Sequence, residues 1–192
     1  LAIAKSSERL AGEVLIVFPD RPDLALGELP SPAAFGEFHP FLKGVFSQWH
    51  PTRFVIEDIE YNCAEQYMMA AKAVLFRDLE AAERIMKTDD PALQKRLGAR
   101  VHGFDEALWT KWRLHIVYQA SIAKFTQNPG AQRQLLRTAP AMLVEANPRD
   151  WNWGNGLQLD DPANQDPASW KGENLLGKIL TLVREELTNP QI

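Results

Sequence analysis

Between Tyr61 and Phe76 the chain reads YNCAEQYMMAAKAVLF, and in this otherwise apolar or small run only Glu65 and Lys72 carry charge. A helix that is apolar on nearly every side belongs in a core. Seven residues apart, the two charges return to almost the same face about 10.5 Å along the axis, with Met69 between them and Phe76 beyond. That is too far for a direct i,i+4 pair. Burying a carboxylate and an ammonium costs several kcal/mol each unless something compensates, so both call for partners from elsewhere. The spacing leaves two readings open. In one the charges are structural, with Arg113 or Arg84 serving Glu65 and Glu145 or Asp150 serving Lys72. In the other they form a reactive pair, since titratable groups in dry surroundings are the material of active sites.

Other constellations carry less. No serine sits in a G-x-S-x-G elbow, and His39, His50, His102 and His115 show no pair spacing for a metal. Trp153-Gly154-Asn155-Gly156 and Lys171-Gly172-Glu173-Asn174 lack the context of a dinucleotide fingerprint or P-loop. The second stretch does lead into a helix, whose free N–H groups would suit a phosphate. Of the six tryptophans, Trp109 and Trp112 fit the core face of a helix, whereas Trp151 and Trp153, beside glycines, suit a pocket wall.

The elements that must position these residues are mostly helical. Asp78, Asp90 and Asp105 each precede a helical stretch as N-caps, and Asn128-Pro129 closes a long segment from Glu106 to Gln127. Trp109, Trp112, Ile116, Ala120 and Ala123 line its inward face. A shorter helix over 131–138, an apolar run Met142-Leu143-Val144, a loop from Asn147 to Gly172 and a final helix over 174–187 follow. Before Asn62 the pattern differs. Glu13 to Phe18 reads as a strand, the proline-rich stretch up to Pro40 as irregular, and 53–56 with 59–61 as a short hairpin around Glu57-Asp58, an unfavoured turn pair.

The expected fold is α+β and mainly α: a single helical domain with a small β-sheet or hairpin. At 192 residues, 45% hydrophobic and 24% charged, the chain is of ordinary single-domain size. Its net charge of -4 argues against a sequence-independent grip on nucleic acid, though a local basic rim from Arg77, Arg84, Arg96, Arg100 and Lys171 stays compatible with it. The lone Cys63 supports neither a disulfide nor a zinc site. No run of about 18 apolar residues is present, so no membrane span is expected, and a cytoplasmic or nuclear location is.

Five ordered blocks narrow the function: FSQWHP (46–51), NCAEQYMMAAKA (62–73), AKFTQNP (123–129), LVEANPRDWNWGNG (143–156) and GENLLG (172–177). Together they resemble the NADAR (YbiA-like) family. The resemblance covers roughly 35–187, which suggests a NADAR domain over 35–192 and an N-terminal extension, 1–34, packed on it. It implies hydrolysis of an N-glycosidic bond on a ribose. Some family members remove ADP-ribose from guanine in nucleic acid; bacterial ones remove ribose 5-phosphate from ribosylamino-pyrimidine intermediates of riboflavin synthesis. The AEQYMM form of the central motif is more similar to the first group.

Carried onto this chain, the resemblance makes Glu65 and Lys72 the catalytic pair. Glu65 would stabilise the developing sugar cation or activate water, and Lys72, if neutral, would form a Schiff base with the opened sugar. For substrate binding it implies Phe46, Ser47, Gln48 and Trp49 from the first block and Tyr67 and Met69 from the second. Trp109 and Arg113 follow on the long helix, then Asp150, Trp153, Gly154, Gly156 and Asn174 in the late blocks. Arg113 and the N–H groups around Asn174 are assigned to phosphates. No metal or organic cofactor is implied. The chain departs from the family at Gln66, where His is frequent, at Asn155, where a hydrophobic residue is, at His50, where Tyr is, and at Arg77, where Gly is. A non-catalytic ADP-ribose or NAD-binding module is the competing reading, and a helical adaptor ranks last.

Overall fold

The computed structural model describes Ile16, Phe18, Pro19, Leu24 and residues 26–189. In chain order the strands and α-helices are β1 (Phe38–Phe41), β2 (Phe54–Ile56), β3 (Ile59–Tyr61), α1 (Ala64–Leu75), α2 (Leu79–Met86) and α3 (Pro91–Gly98). They continue with α4 (Glu106–Gln127), α5 (Pro129–Leu136), β4 (Met142–Glu145) and α6 (Leu175–Thr188). The fold is α+β and mainly α, as the helical periodicity predicts. The expected strand at 13–18 lies largely outside the described residues; Ile16 and Phe18 are described and carry no strand. The chain divides into two compact units, Leu1–Ala25 with Pro51–Lys124, and Leu26–His50 with Phe125–Ile192.

In the first unit β2 and β3 form the expected hairpin, in the register Phe54↔Tyr61 and Ile56↔Ile59. Glu57 and Asp58 both adopt left-handed φ, 50° and 63°, which a two-residue hairpin turn requires even of residues that dislike it. Phe54 and Tyr61 stack at 5.8 Å, and Tyr67 of α1 meets Tyr61 edge-on at 5.0 Å, fastening the hairpin to the helix. Each expected N-cap is in place. Asp78 accepts from the Ala81 N–H, Asp90 from Ala92 and Asp105 from Leu108. Arg77, between α1 and α2, has φ 60, a left-handed conformation that suits glycine better than a side-chain-bearing residue.

Gln66 joins the start of α1 to the end of α2. Its side-chain oxygen accepts from the Asn62 N–H at 2.8 Å, and its amide lies 3.3 Å from the carbonyls of Ile85, Met86 and Thr88. These carbonyls lie at and just beyond the end of α2, so Gln66 ties that helix end to the start of α1.

The second unit corrects one expectation. Pro40 was to fall in an irregular stretch, yet Phe38–Phe41 forms a strand paired in parallel with Met142–Glu145. A two-stranded sheet leaves an open edge that tolerates a proline. Helix α6 packs on β4, where the Thr181 hydroxyl accepts from the Leu143 N–H at 3.0 Å. The loop after β4 is ordered by short 3₁₀ turns at Pro162–Gln165 and Pro167–Ser169, each started by an aspartate cap. Asn155 and Asn164, both buried, pair across it at 2.7 Å.

Candidate functional site

Glu65, Tyr67, Met69, Lys72, Trp109 and Arg113 belong to the first unit, and the remaining sequence-predicted residues to the second. Glu65 lies in the first turn of α1 and is buried, 5% exposed. There its side chain stands at the positive end of the helix dipole. Lys72 stands in the last turn, half-buried rather than within the core. Its ammonium lies 4.6 Å from the centre of the Phe104 ring and 5.2 Å from that of Trp109. Desolvation pushes its pKa below the ordinary lysine value, while the charges of Glu106 and, more weakly, Glu65 pull it back up. Within this unit those two acids therefore act on Lys72, where sequence had offered Glu145 or Asp150.

Tyr67 and Met69 face other helix neighbours. Tyr67 sits in the aromatic group of the hairpin, its hydroxyl pKa raised mainly by burial and further by Glu57. Met69 lies against Gly98 of α3, which leaves no room there for a Cβ. Arg113, one turn beyond Trp109, is half-buried, and its Nε finds no hydrogen-bond acceptor among the described residues. Trp109, Trp112, Ile116, Ala120 and Ala123 are all buried, as the helical stripe predicts.

One residue escaped sequence reasoning. Lys124, inside the AKFTQNP block, is 1% exposed, and burial lowers its pKa to about 7, opposed by the charge of Cys63. Cys63, the N-cap residue of α1, feels both Glu65 and Lys124, and its thiol donates to the Gln94 side-chain oxygen at 3.3 Å. Burial raises the thiol pKa. The signal lay in the helix itself: Lys124 follows Ala123 directly on a helix buried over much of its circumference.

In the second unit the late blocks form one loop-helix junction. Asp150 accepts from the N–H groups of Asn152 and Trp153 at 3.0 and 2.9 Å, closing a turn. A Cβ on Gly154 would meet the carbonyl oxygens of Asp150 and Glu145 at 2.8 and 2.9 Å, so only glycine lets these backbones touch. A Cβ on Gly172 would likewise meet the Trp151 carbonyl oxygen at 2.7 Å, and one on Gly156 would meet the Trp151 indole at 3.1 Å. Trp151 is 59% exposed and Trp153 half-buried.

The phosphate assignment around Asn174 does not hold. The N–H groups of Lys171 and Gly172 both donate to Asn155 O, and those of Glu173, Asn174, Leu175 and Leu176 to the carbonyls of Trp151, Gly154, Asn152 and Trp153. The end of α6 is thus filled by its own loop. Asn174 itself is buried at φ 51, its side chain accepting from the Glu145 N–H at 2.9 Å and donating to the Leu143 carbonyl at 3.0 Å. In the first block Phe46 is buried among the rings of His39, Phe41 and Phe125. Ser47 accepts from the Trp49 N–H at 3.2 Å, Gln48 is half-buried and Trp49 is exposed. Among the described residues no group of three or more His, Cys, Asp or Glu is placed to hold a metal, and no helix is long and apolar enough to cross a membrane.

Comparison with known proteins bears on this geometry. The chain is 42% identical to N-glycosidase R617 of Acanthamoeba polyphaga mimivirus over 147 residues, 74% of this chain and 86% of that one. It is 28% identical to a riboflavin biosynthesis protein of Vibrio vulnificus, over 75% of this chain and 35% of that one. The NMR structure of the E. coli protein YbiA superimposes with a TM-score of 0.66 at 27% identity, covering 80% of this chain and 86% of that one. The NADAR domain model matches residues 35–188, and the chain belongs to the NADAR domain family.

Proposed function

We propose that the chain hydrolyses the bond between the anomeric carbon of ADP-ribose and the exocyclic nitrogen of guanine in nucleic acid. As an N-glycosidase it follows its relatives; the substrate is our inference. The observation that carries the reading is the buried Glu65 carboxylate at the start of α1, two helical turns from an aromatic-flanked Lys72. The guanine assignment is supported by the AEQYMM motif and by the higher identity to the mimivirus N-glycosidase than to the riboflavin protein.

As the C–N bond breaks, its electron pair leaves with the guanine nitrogen and positive charge develops at the anomeric carbon. A carboxylate in a low-dielectric setting stabilises that charge with little reorganisation. Water then bonds to the carbon, one proton passes to the guanine nitrogen, and the other hydrogen stays as the new hydroxyl. Glu65 serves by holding the cation or by taking the proton from water. The alternative route runs through Lys72, whose lowered pKa raises the fraction of free amine; that amine adds to the anomeric carbon of the opened sugar and expels the guanine amine, leaving a Schiff base that water hydrolyses to free sugar and lysine. Arg113, with its unsatisfied Nε, is the cation we assign to the phosphates.

The test incubates the protein and a Glu65→Gln control with guanine-ADP-ribosylated oligonucleotide and, separately, with the ribosylamino-pyrimidine intermediate. Release of ADP-ribose from the oligonucleotide by the unaltered protein alone is expected. Release only from the metabolite moves the chain to the riboflavin-linked activity, and binding of ADP-ribose without turnover makes it a binding module. Borohydride added during turnover separates the routes, since only the Schiff-base path leaves sugar attached to Lys72.

A further inference from the structure

The turn between α3 and α4 exposes a large apolar ring. Phe104 is 45% exposed, although burial of an aromatic ring is favoured. The turn around it is firmly built. On the entry side the His102 N–H donates to Asp78 Oδ2 at 2.9 Å, with the imidazole Nδ1 3.1 Å from the same oxygen. On the exit side Asp105 caps α4 through the Leu108 N–H at 2.7 Å. Phe104 also meets Phe76 at 5.2 Å. Its position is thus imposed from both sides.

What the ring covers is the Lys72 head. Trp109, the other ring on the ammonium, is buried in α4. Phe104 completes the flank from the turn, nearer to the ammonium than Trp109, and both rings lie within the roughly 6 Å over which a ring attracts a cation. A lysine in the last turn of a helix otherwise holds its head on four rotatable bonds in water, and fixing it there costs rotamer entropy.

We propose that Phe104 is a positioning residue for the reaction, holding the resting Lys72 ammonium against Trp109 so that its head group is placed before substrate arrives and before it gives up its proton. The proposal rests on the reading that Lys72 takes part in chemistry. The charged groups facing Lys72 are Glu106 from α4 and Glu65 from its own helix, while Asp78 in the neighbouring turn is engaged with His102. Phe104→Leu keeps the apolar bulk and removes the ring's attraction; Phe104→Tyr keeps both.

The experiment compares the full-length protein with its F104L, F104Y and K72M variants by steady-state kinetics, by thermal unfolding and by NMR titration of the lysine side chains, with K72M identifying the Lys72 signal. In F104L we expect kcat to fall about three- to tenfold, the size of a ring-cation contact, with KM little changed. The Lys72 titration should move to lower pH, and F104Y should restore both at a common unfolding midpoint. An F104L protein with unaltered kcat and unaltered Lys72 titration overturns the proposal, as does failure of F104Y to restore them. If K72M keeps full activity, the catalytic reading of Lys72 fails, and with it the kinetic effect of Phe104, whereas the titration of Lys72 still decides whether the ring holds the amine.

Discussion

The cationic motif residues of the first unit and the polar motif residues of the second are used in opposite ways. In the first, Lys72 is flanked by rings and Arg113 keeps a buried Nε without an acceptor among the described residues. In the second, Asp150, Asn155 and Asn174 spend their side chains on backbone N–H groups, a carbonyl and the side chain of Asn164. A motif residue can therefore be present for chemistry or for holding a loop in one shape, and type alone does not distinguish them. Committed hydrogen bonds do. Substitutions at Glu65, Lys72 and Arg113 should lower turnover in a folded protein, and those at Asn155, Gly172 and Asn174 should lower stability.

The largest expected contrast is at Glu65. Glu65→Gln should cut kcat/KM by about 10²–10³, the usual loss when a preorganised electrostatic group is removed, while the thermal midpoint moves little. Loss of the fold instead would make Glu65 structural and dissolve the contrast. On the other side, Gly172→Ala forces a Cβ into the Trp151 backbone and should cost about 3 kcal/mol or more, read from urea unfolding. A variant that unfolds like the parent would show that the glycine junction gives way easily.

Lys124 sharpens the comparison through pH. Its folded pKa, about 7, lies below that of an unfolded lysine, so between those values the unfolded chain binds the extra proton. Stability should rise with pH from about 7 upward, and the advantage of Lys124→Met over the parent should shrink across that range. The raised Cys63 thiol pulls the other way at higher pH, but it is present in both proteins and largely cancels in their difference. A pH-independent difference would mean that the buried amine stays charged.

Smaller effects complete the series. Asn155→Ala removes the partner of Asn164 and leaves the Leu157 N–H without its acceptor, for an expected cost of about 1–3 kcal/mol with kcat retained. Arg77→Gly relieves a left-handed backbone and should stabilise by about 0.5–1 kcal/mol, visible as a raised midpoint.

How much of this was legible depends on the range of the forces. The N-caps at Asp78, Asp90 and Asp105, the full extent of α4 and the hairpin around Glu57-Asp58 are local, and residue types within a few positions set them. The pairing of β1 with β4 is not local. It joins segments far apart in the chain, one with a proline inside it, so no short-range pattern marks it. The two charges on α1 were legible because an apolar helix makes them conspicuous, whereas Lys124 was hidden by its ordinary place beside an apolar stripe. The supposed phosphate site failed for a related reason: a glycine-led helix start looks the same in sequence whether its N–H groups face a ligand or a neighbouring loop.

That filled helix end has an evolutionary consequence. With six successive amides of the 171–176 segment already bonded to the loop, α6 has no dipole end to lend to a phosphate. Discrimination between a one-phosphate sugar and a diphosphate-bridged one then falls to side chains, with Arg113 foremost under our assignment. A preference written in side chains can be altered by a single codon, whereas one written in a helix terminus would require rebuilding the backbone. Under our proposed reading, a preference for one phosphate or two is then set by substitution alone, with the glycine junction left as it is.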